Sequence, residues 1–264
     1  MELSVITINL NNLEGLRKTI ESVVSQTWRD FEWIIIDGGS SDGSKELIEE
    51  NEAYVSYWCS EPDKGIYNAM NKGLRQAHGN YCLFLNSGDW LAQDSTIADV
   101  LPILSGDIFV ARSLYHNGQK ITGKSRFISQ ENFSLSTLAR ESLPHQSTFI
   151  RTALLRKSGG YDESYRLLAD WAFFLKMAIN NSAEFVFSGI CTSVYDTSGL
   201  SATQKTLFEE EKKRVMTIIP AIFRKDMPLA LSLQDVLASP FGRTCYRIIY
   251  RITLSCKRIS KKAE

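Results

Sequence analysis

Apolar and polar positions follow two periods along the first hundred residues. Leu3–Ile8 is a short β-rich run, and past Asn11-Asn12, which can cap a helix, Leu13, Leu16, Ile20, Val23 and Val24 recur at helical spacing. Phe31–Ile36 is a continuous apolar run, the mark of a strand buried on both faces. Residues 38–43 (GGSSDG) read as a turn and Ser44–Glu50 as a second helix, with Asp42 as its cap. Tyr54–Trp58 predicts a third strand. Ile66, Met70, Gly73, Leu74 and Ala77 mark one face of a third helix ended by Gly79, and Tyr81–Leu85 a fourth strand. Strands alternating with helices through short loops predict an α/β fold, with a mostly parallel central sheet flanked by helices.

Past residue 105 the regularity drops. Asp107–Tyr115 and Lys120–Phe127 flank the hairpin signal Asn117-Gly118, His145–Ile150 predicts a strand and Asp170–Ile179 a helix. From residue 204 the pattern is mostly helical and charged, broken at Pro220, Pro228 and Pro240. The expected organisation is a domain over 1–203, in halves 1–105 and 106–203, and a helical C-terminal extension over 204–264.

Composition narrows the function classes. The 264 residues are 44% hydrophobic and carry 30 basic and 30 acidic side chains. That balance argues against a nucleic-acid binder, which needs a basic excess or face. Five scattered cysteines without CxxC or zinc spacing fit reduced thiols. With no basic leader and no uncharged span of membrane length, the expectation is a cytoplasmic protein.

In an open parallel sheet, ligands bind beyond the carboxyl ends of the strands. That rule makes neighbours of Thr7–Asn9, Asp37–Asp42, Ser60–Asp63 and Asn86–Asp89. The set holds no GxGxxG, GxxxxGK[ST] or GxSxG, which counts against a dinucleotide enzyme, a P-loop NTPase and a serine hydrolase. Asp37, directly after a buried strand, either accepts a hydrogen bond from a base or ribose or forms a turn on its own backbone. Asn86-Ser87-Gly88-Asp89 places one carboxylate at a strand end. That suits Mn²⁺ or Mg²⁺ completed by substrate phosphates, or an ordinary turn.

With these residues in place, the chain resembles the family 2 glycosyltransferases of the GT-A, Rossmann-like nucleotide-binding fold. The resemblance runs through residues 4–12, 22–27, 34–44, 60–81, 84–91, 144–151, 159–165 and 168–176. It implies transfer of a sugar, with inversion, from a nucleotide-diphosphate sugar donor to an acceptor hydroxyl. It further implies that Thr7 and Asp37 hold the nucleoside and that Asp89 binds the metal. Asp170 matches the general base, a role in tension with a plain helix cap, and Ala169 stands where the family often has Glu. Asn86 and Gly88 occupy positions that are often Asp. Asp63 and Lys64 border the donor or form a solvated loop pair, Asn68 can reach a sugar or ribose hydroxyl, and Asn9, Ser87 and Gly88 complete the donor set. His145 reads as a contact to acceptor or diphosphate, or as a structural histidine.

In the last 22 residues seven basic side chains, Arg243 to Lys262, fall within an arc of about 140° on a helix. They predict either contact of 243–262 with an anionic membrane, which fits a lipid-linked acceptor, or a helix docked on the domain. The competing functions are a nucleotidyltransferase, against which residues 9–15 supply no Lys or Arg, and a catalytically silent nucleotide-sugar binding module.

Overall fold

The computed structural model describes residues 1–197 and 204–221, and beyond them positions 223, 224, 228 and 232. A first compact unit spans Met1–Ile218; the second, Ile219–Glu264, lies almost wholly outside the described residues, as does the basic stretch 243–262. The expected boundary at 203 thus precedes a helix that clusters with the first unit. No helix among the described residues is long and apolar enough to cross a membrane.

The chain runs β1 (Leu3–Asn9), α1 (Leu13–Val24), β2 (Glu32–Asp37), α2 (Ser44–Glu50), β3 (Tyr57–Ser60), α3 (Ile66–Gln76) and β4 (Tyr81–Phe84). It continues through β5 (Trp90–Leu91), α4 (Thr96–Val100), β6 (Ile108–His116), β7 (Ile121–Lys124), α5 (Leu135–Arg140), β8 (Thr148–Arg151) and α6 (Thr152–Lys157). The last described elements are α7 (Ala169–Ile179), β9 (Phe185–Asp196) and α8 (Lys205–Met216). Their strands form one sheet in the order β3-β2-β1-β4-β8-β6-β9-β5, with β7 paired to β6. The pairs β3-β2, β2-β1 and β1-β4 are parallel, which is the predicted half; β8 then enters antiparallel to both β4 and β6, and β9 runs parallel to β6.

β1 lies at the centre of the parallel half and every one of its residues is buried. On one face Leu3, Val5, Trp33 and Ile35 meet Leu16, Ile20 and Val23 of α1 and Leu47 and Ile48 of α2. On the other, α3 comes so close that a Cβ on Gly73 would stand 2.4 Å from Ile6. Strands sandwiched this way must be apolar on both faces, which is why FEWIII shows no alternation.

Several boundaries shift, and the strand expected over Lys120–Phe127 ends at Lys124. A single 3₁₀ turn occupies Glu52–Tyr54, so β3 starts at Tyr57. α3 stops at Gln76, and Gly79 is not its cap; the Gly79 N–H is held by Ser4 Oγ and Glu32 Oε1, each at 2.8 Å. Residues 145–147 form a 3₁₀ turn ahead of β8 rather than its first residues. Asn12 caps α1 as expected, and Asp42 accepts from the Ser44 N–H at 3.1 Å at the start of α2. Asp42 also accepts from the Leu13 N–H at 2.8 Å, so one carboxylate serves the starts of two helices.

Candidate active site

The carboxyl ends of β1, β2, β3 and β4 bring the four predicted segments together. Asp37 ends β2 with no exposed surface, and both of its oxygens are taken. Oδ1 accepts from Asn9 Nδ2 at 2.8 Å and Ser40 Oγ at 2.6 Å; Oδ2 accepts from the N–H groups of Gly39 and Ser40 and from Ser60 Oγ at 2.6 Å. Burial opposes the charge, but these donors outweigh it and hold the carboxyl below its ordinary range. Asp37 therefore knits the ends of β1, β2 and β3 into one rim. Thr7, two residues before Asn9, is fully buried, and its hydroxyl accepts the indole N–H of Trp33 at 3.0 Å within the sheet.

Asp63 closes the mouth of this rim. Its Oδ1 accepts from the Gly65 N–H at 2.8 Å, and a Cβ on Gly38 would lie 2.7 Å from its Oδ2, so a side chain at 38 would displace the Asp63 carboxylate. Lys64 is exposed, and its N–H donates to Asn68 Oδ1. Asn68 Nδ2 in turn donates to Glu163 Oε2 at 2.8 Å, which ties the start of α3 to the 160–163 loop.

The 86–89 turn is fixed from α1. Asn12, while capping α1, donates through Nδ2 to Ser87 O at 3.0 Å, and Thr19 Oγ1 lies 2.7 Å from Asp89 O and accepts from the Gly88 N–H. Gly88 has φ of +101°, a conformation that side chains rarely adopt. Any side chain placed here on the same backbone would be strained. Asp89 is buried; one oxygen accepts the Asp196 N–H at 3.2 Å, and burial pushes its pKa to about 7 against the pull of His145. The Asn86 Oδ1 is buried without a hydrogen-bond partner. Among the described residues no three His, Cys, Asp or Glu side chains gather as a metal cluster. A buried carboxylate whose charge lacks solvent, beside an unsatisfied amide oxygen, fits a cation whose shell is completed by a bound diphosphate.

His145 joins this turn to α7. Its Nδ1 is 3.4 Å from Asp170 Oδ2 and its Nε2 is 3.3 Å from Asn86 Nδ2. In the neutral ring Nδ1–H faces the carboxylate and Nε2 accepts from the amide. Burial works against a charged imidazole, but the hydrogen bond and charge of Asp170, with the charge of Asp89, outweigh it and raise the His145 pKa. Asp170 Oδ1 lies 2.9 Å from the Tyr67 hydroxyl, which also reaches Leu167 O at 2.7 Å. Tyr67 passed unnoticed in the sequence; its signal is its place on the α3 face that also carries Met70 and Leu74, where an aromatic reads as core. The arrangement is a chain of Tyr67, Asp170, His145 and Asn86 leading to the Asp89 turn.

Comparisons with known proteins place the chain in a family and support its fold. The sequence profile described as Glycosyl transferase family 2 matches residues 4–158. An uncharacterised glycosyltransferase of Mycobacterium tuberculosis is 35% identical over 202 residues, 75% of this chain and 76% of the relative. A PGL/p-HBAD biosynthesis glycosyltransferase of Mycobacterium bovis is 30% identical over 205 residues, 76% and 79% of the two chains. Among solved structures, Staphylococcus aureus TarS 1–349 in complex with UDP superposes with a TM-score of 0.62 at 19% identity, over 91% of this chain and 67% of that one. The mannosyltransferase PcManGT of Pyrobaculum calidifontis, in complex with GDP-Man and Mn²⁺, gives 0.60 at 13% identity, over 96% and 80%.

Proposed function

The chain belongs to glycosyl transferase family 2 and is a transferase of glycan biosynthesis, and on that premise we propose that it is an inverting, metal-dependent enzyme. It moves a sugar from a nucleotide-diphosphate donor to a hydroxyl of a glycan or lipid-linked acceptor, in assembly of a surface polysaccharide or glycolipid. The observation that carries this reading is the pair of buried carboxylates, Asp89 and Asp170, joined through His145, whose Nδ1 is 3.4 Å from Asp170 Oδ2 and whose Nε2 is 3.3 Å from Asn86 Nδ2 in the Asp89 turn.

The nucleoside lies against Asn9, Asp37 and Asp63, with Thr7 supporting the sheet beneath. Lys64 and Asn68 border the donor, and Asn86, Ser87 and Gly88 face its diphosphate. TarS with UDP and PcManGT with GDP-Man support a UDP- or GDP-sugar as donor. Asp89 would hold Mn²⁺ or Mg²⁺, which when bound offsets the charge on the departing diphosphate. The acceptor oxygen attacks the anomeric carbon from the face opposite the leaving group. The bond to the diphosphate oxygen breaks, and the acceptor proton passes to the Asp170 carboxylate. A positioned base of this kind contributes about 10²–10⁴-fold. Tyr67 and His145 hold one Asp170 oxygen each, which fixes the carboxylate plane.

A nucleotidyltransferase would need basic side chains near residues 9–15, where the structure instead places the capping Asn12. A membrane contact through 243–262 and a location at the inner membrane face remain part of the proposal.

The test is a thermal-shift panel of UDP, GDP, dTDP and CMP with and without Mn²⁺, followed by turnover of the matching nucleotide sugar. One nucleotide is expected to raise the melting temperature with metal present, by mass action on the native state. Asp170→Asn is expected to keep that shift and lose transfer. Transfer retained by Asp170→Asn would overturn the base assignment, and unchanged Mn²⁺ dependence in Asp89→Ala would overturn the metal assignment.

A further inference from the structure

Asp170 is the second residue of α7, and what fixes the start of α7 comes from far along the chain. Leu168, at the cap position, has no side-chain oxygen to offer. Instead the N–H groups of Arg166, Leu167 and Leu168 converge on the Glu211 carboxylate of α8, at 2.6, 2.9 and 3.0 Å. Glu211 is 6% exposed. Its charge sits at the positive end of the α7 dipole, where a carboxylate is favoured. The same loop is also held by the Tyr67 hydroxyl on Leu167 O, the hydroxyl that also meets Asp170. One turn further along α8, Arg214 donates to Ser164 O and Oγ and stacks over the Tyr165 ring at 3.9 Å. The α8 helix thus clasps residues 164–168 at two points, of which only the Glu211 point adjoins the base.

We propose that Glu211 is the positioning residue for Asp170, so that α8, beyond the 4–158 stretch matched by the family profile, is a working part of the acceptor half. The proposal rests on the reading of Asp170 as base. Three peptide N–H groups held by one buried carboxylate set the peptide planes from which α7 starts. Those planes direct the Asp170 side chain toward His145 and away from the solvent rotamers it would sample on a frayed first turn. Loss of Glu211 is expected to leave the donor rim intact, because the rim is held by its own hydrogen bonds, Asn9 and Ser40 and Ser60 on Asp37 and the Gly65 N–H on Asp63.

The experiment uses the full chain labelled with ¹⁵N at histidine, of which it has three. The ring nitrogens of His145 report the hydrogen bond to Asp170 at one fixed pH. Asp170→Ala, which removes both acceptor oxygens, marks the position of the signals when that bond is lost. Glu211→Gln is expected to move them at least halfway to that position. Arg214→Ala, which loosens the other clasp point, is expected to leave them at the wild-type position. In parallel, nucleotide release from UDP-glucose, UDP-GlcNAc and GDP-mannose is expected to show kcat lowered about 10–100-fold in Glu211→Gln. The donor KM is expected to stay within about twofold, the split that marks an interaction used in the chemical step. Folded Glu211→Gln with His145 signals at the wild-type position overturns the proposal, as does an equal shift in Arg214→Ala. Where Glu211→Gln does not fold, Glu211→Asp, whose carboxylate stands one methylene short of the three donors, takes its place under the same criteria. Failure of the base reading is separate: it is turnover retained by Asp170→Asn, whatever the histidine signals do.

Discussion

Glu32 and Asp37 sit at opposite ends of β2 and show what a single carboxylate does at each edge of a parallel sheet. Glu32 accepts from Ser4 Oγ and from the N–H groups of His78 and Gly79, so it ties the amino-terminal edge of β1 to the loop before β4. Burial opposes its charge, but these donors outweigh it and hold the carboxyl below its ordinary value of 4.5. The sign follows: its contribution is complete above that value and is lost as pH falls through the lower folded value. Glu32→Gln is expected to cost about 2 kcal/mol at neutral pH. Urea melts repeated below pH 4.5 should show the gap between variant and wild type closing. Asp37 accepts five hydrogen bonds, so Asp37→Ala is expected to abolish the nucleotide-induced thermal shift through collapse of the rim.

At the scale of elements, α1 does more than cover the sheet. Asn12 and Thr19 fasten the 86–89 turn, which makes the Asp89 carboxylate depend on a helix more than 60 residues earlier in the chain. Asn12→Ala is expected to cost about 1 kcal/mol as a lost cap. It should also weaken the Mn²⁺-dependent part of the nucleotide shift more than the metal-free part. Gly88→Ala forces a side chain onto φ of +101° and is expected to cost about 1–3 kcal/mol in a denaturant titration. These elements were legible in sequence because each rests on neighbours: a cap three residues away, a helical face, an apolar run. The 12-residue β9 was not, since Ser188, Gly189, Thr192 and Ser193 break its apolar pattern. Its place was decided by long pairing with β6 and by hydroxyls that bond within the layer, such as Ser193 with Ser113 at 3.0 Å.

For the whole molecule, the compact unit that ends at Ile218 sets where the chain can be shortened. A chain ended at Ile218 is expected to keep a cooperative melt and its nucleotide-induced shift. A chain ended at residue 203 loses Glu211 and Arg214 and is expected to melt at lower temperature with the 162–168 loop open to rapid amide exchange. Hydrogen exchange on the two chains checks this directly.

The sequence by itself determined the order of strands and helices from β1 to β4, the rim of polar residues at their carboxyl ends and the resemblance that pointed to sugar transfer. Periodic burial and capping act within a few residues, so they are written locally. Only the tertiary structure decided that His145 bridges toward Asp170, that Tyr67 meets Asp170 across 103 positions, and that Glu211 holds the start of α7. Such contacts leave no periodic trace, because buried polar groups far apart in the chain find their partners through packing.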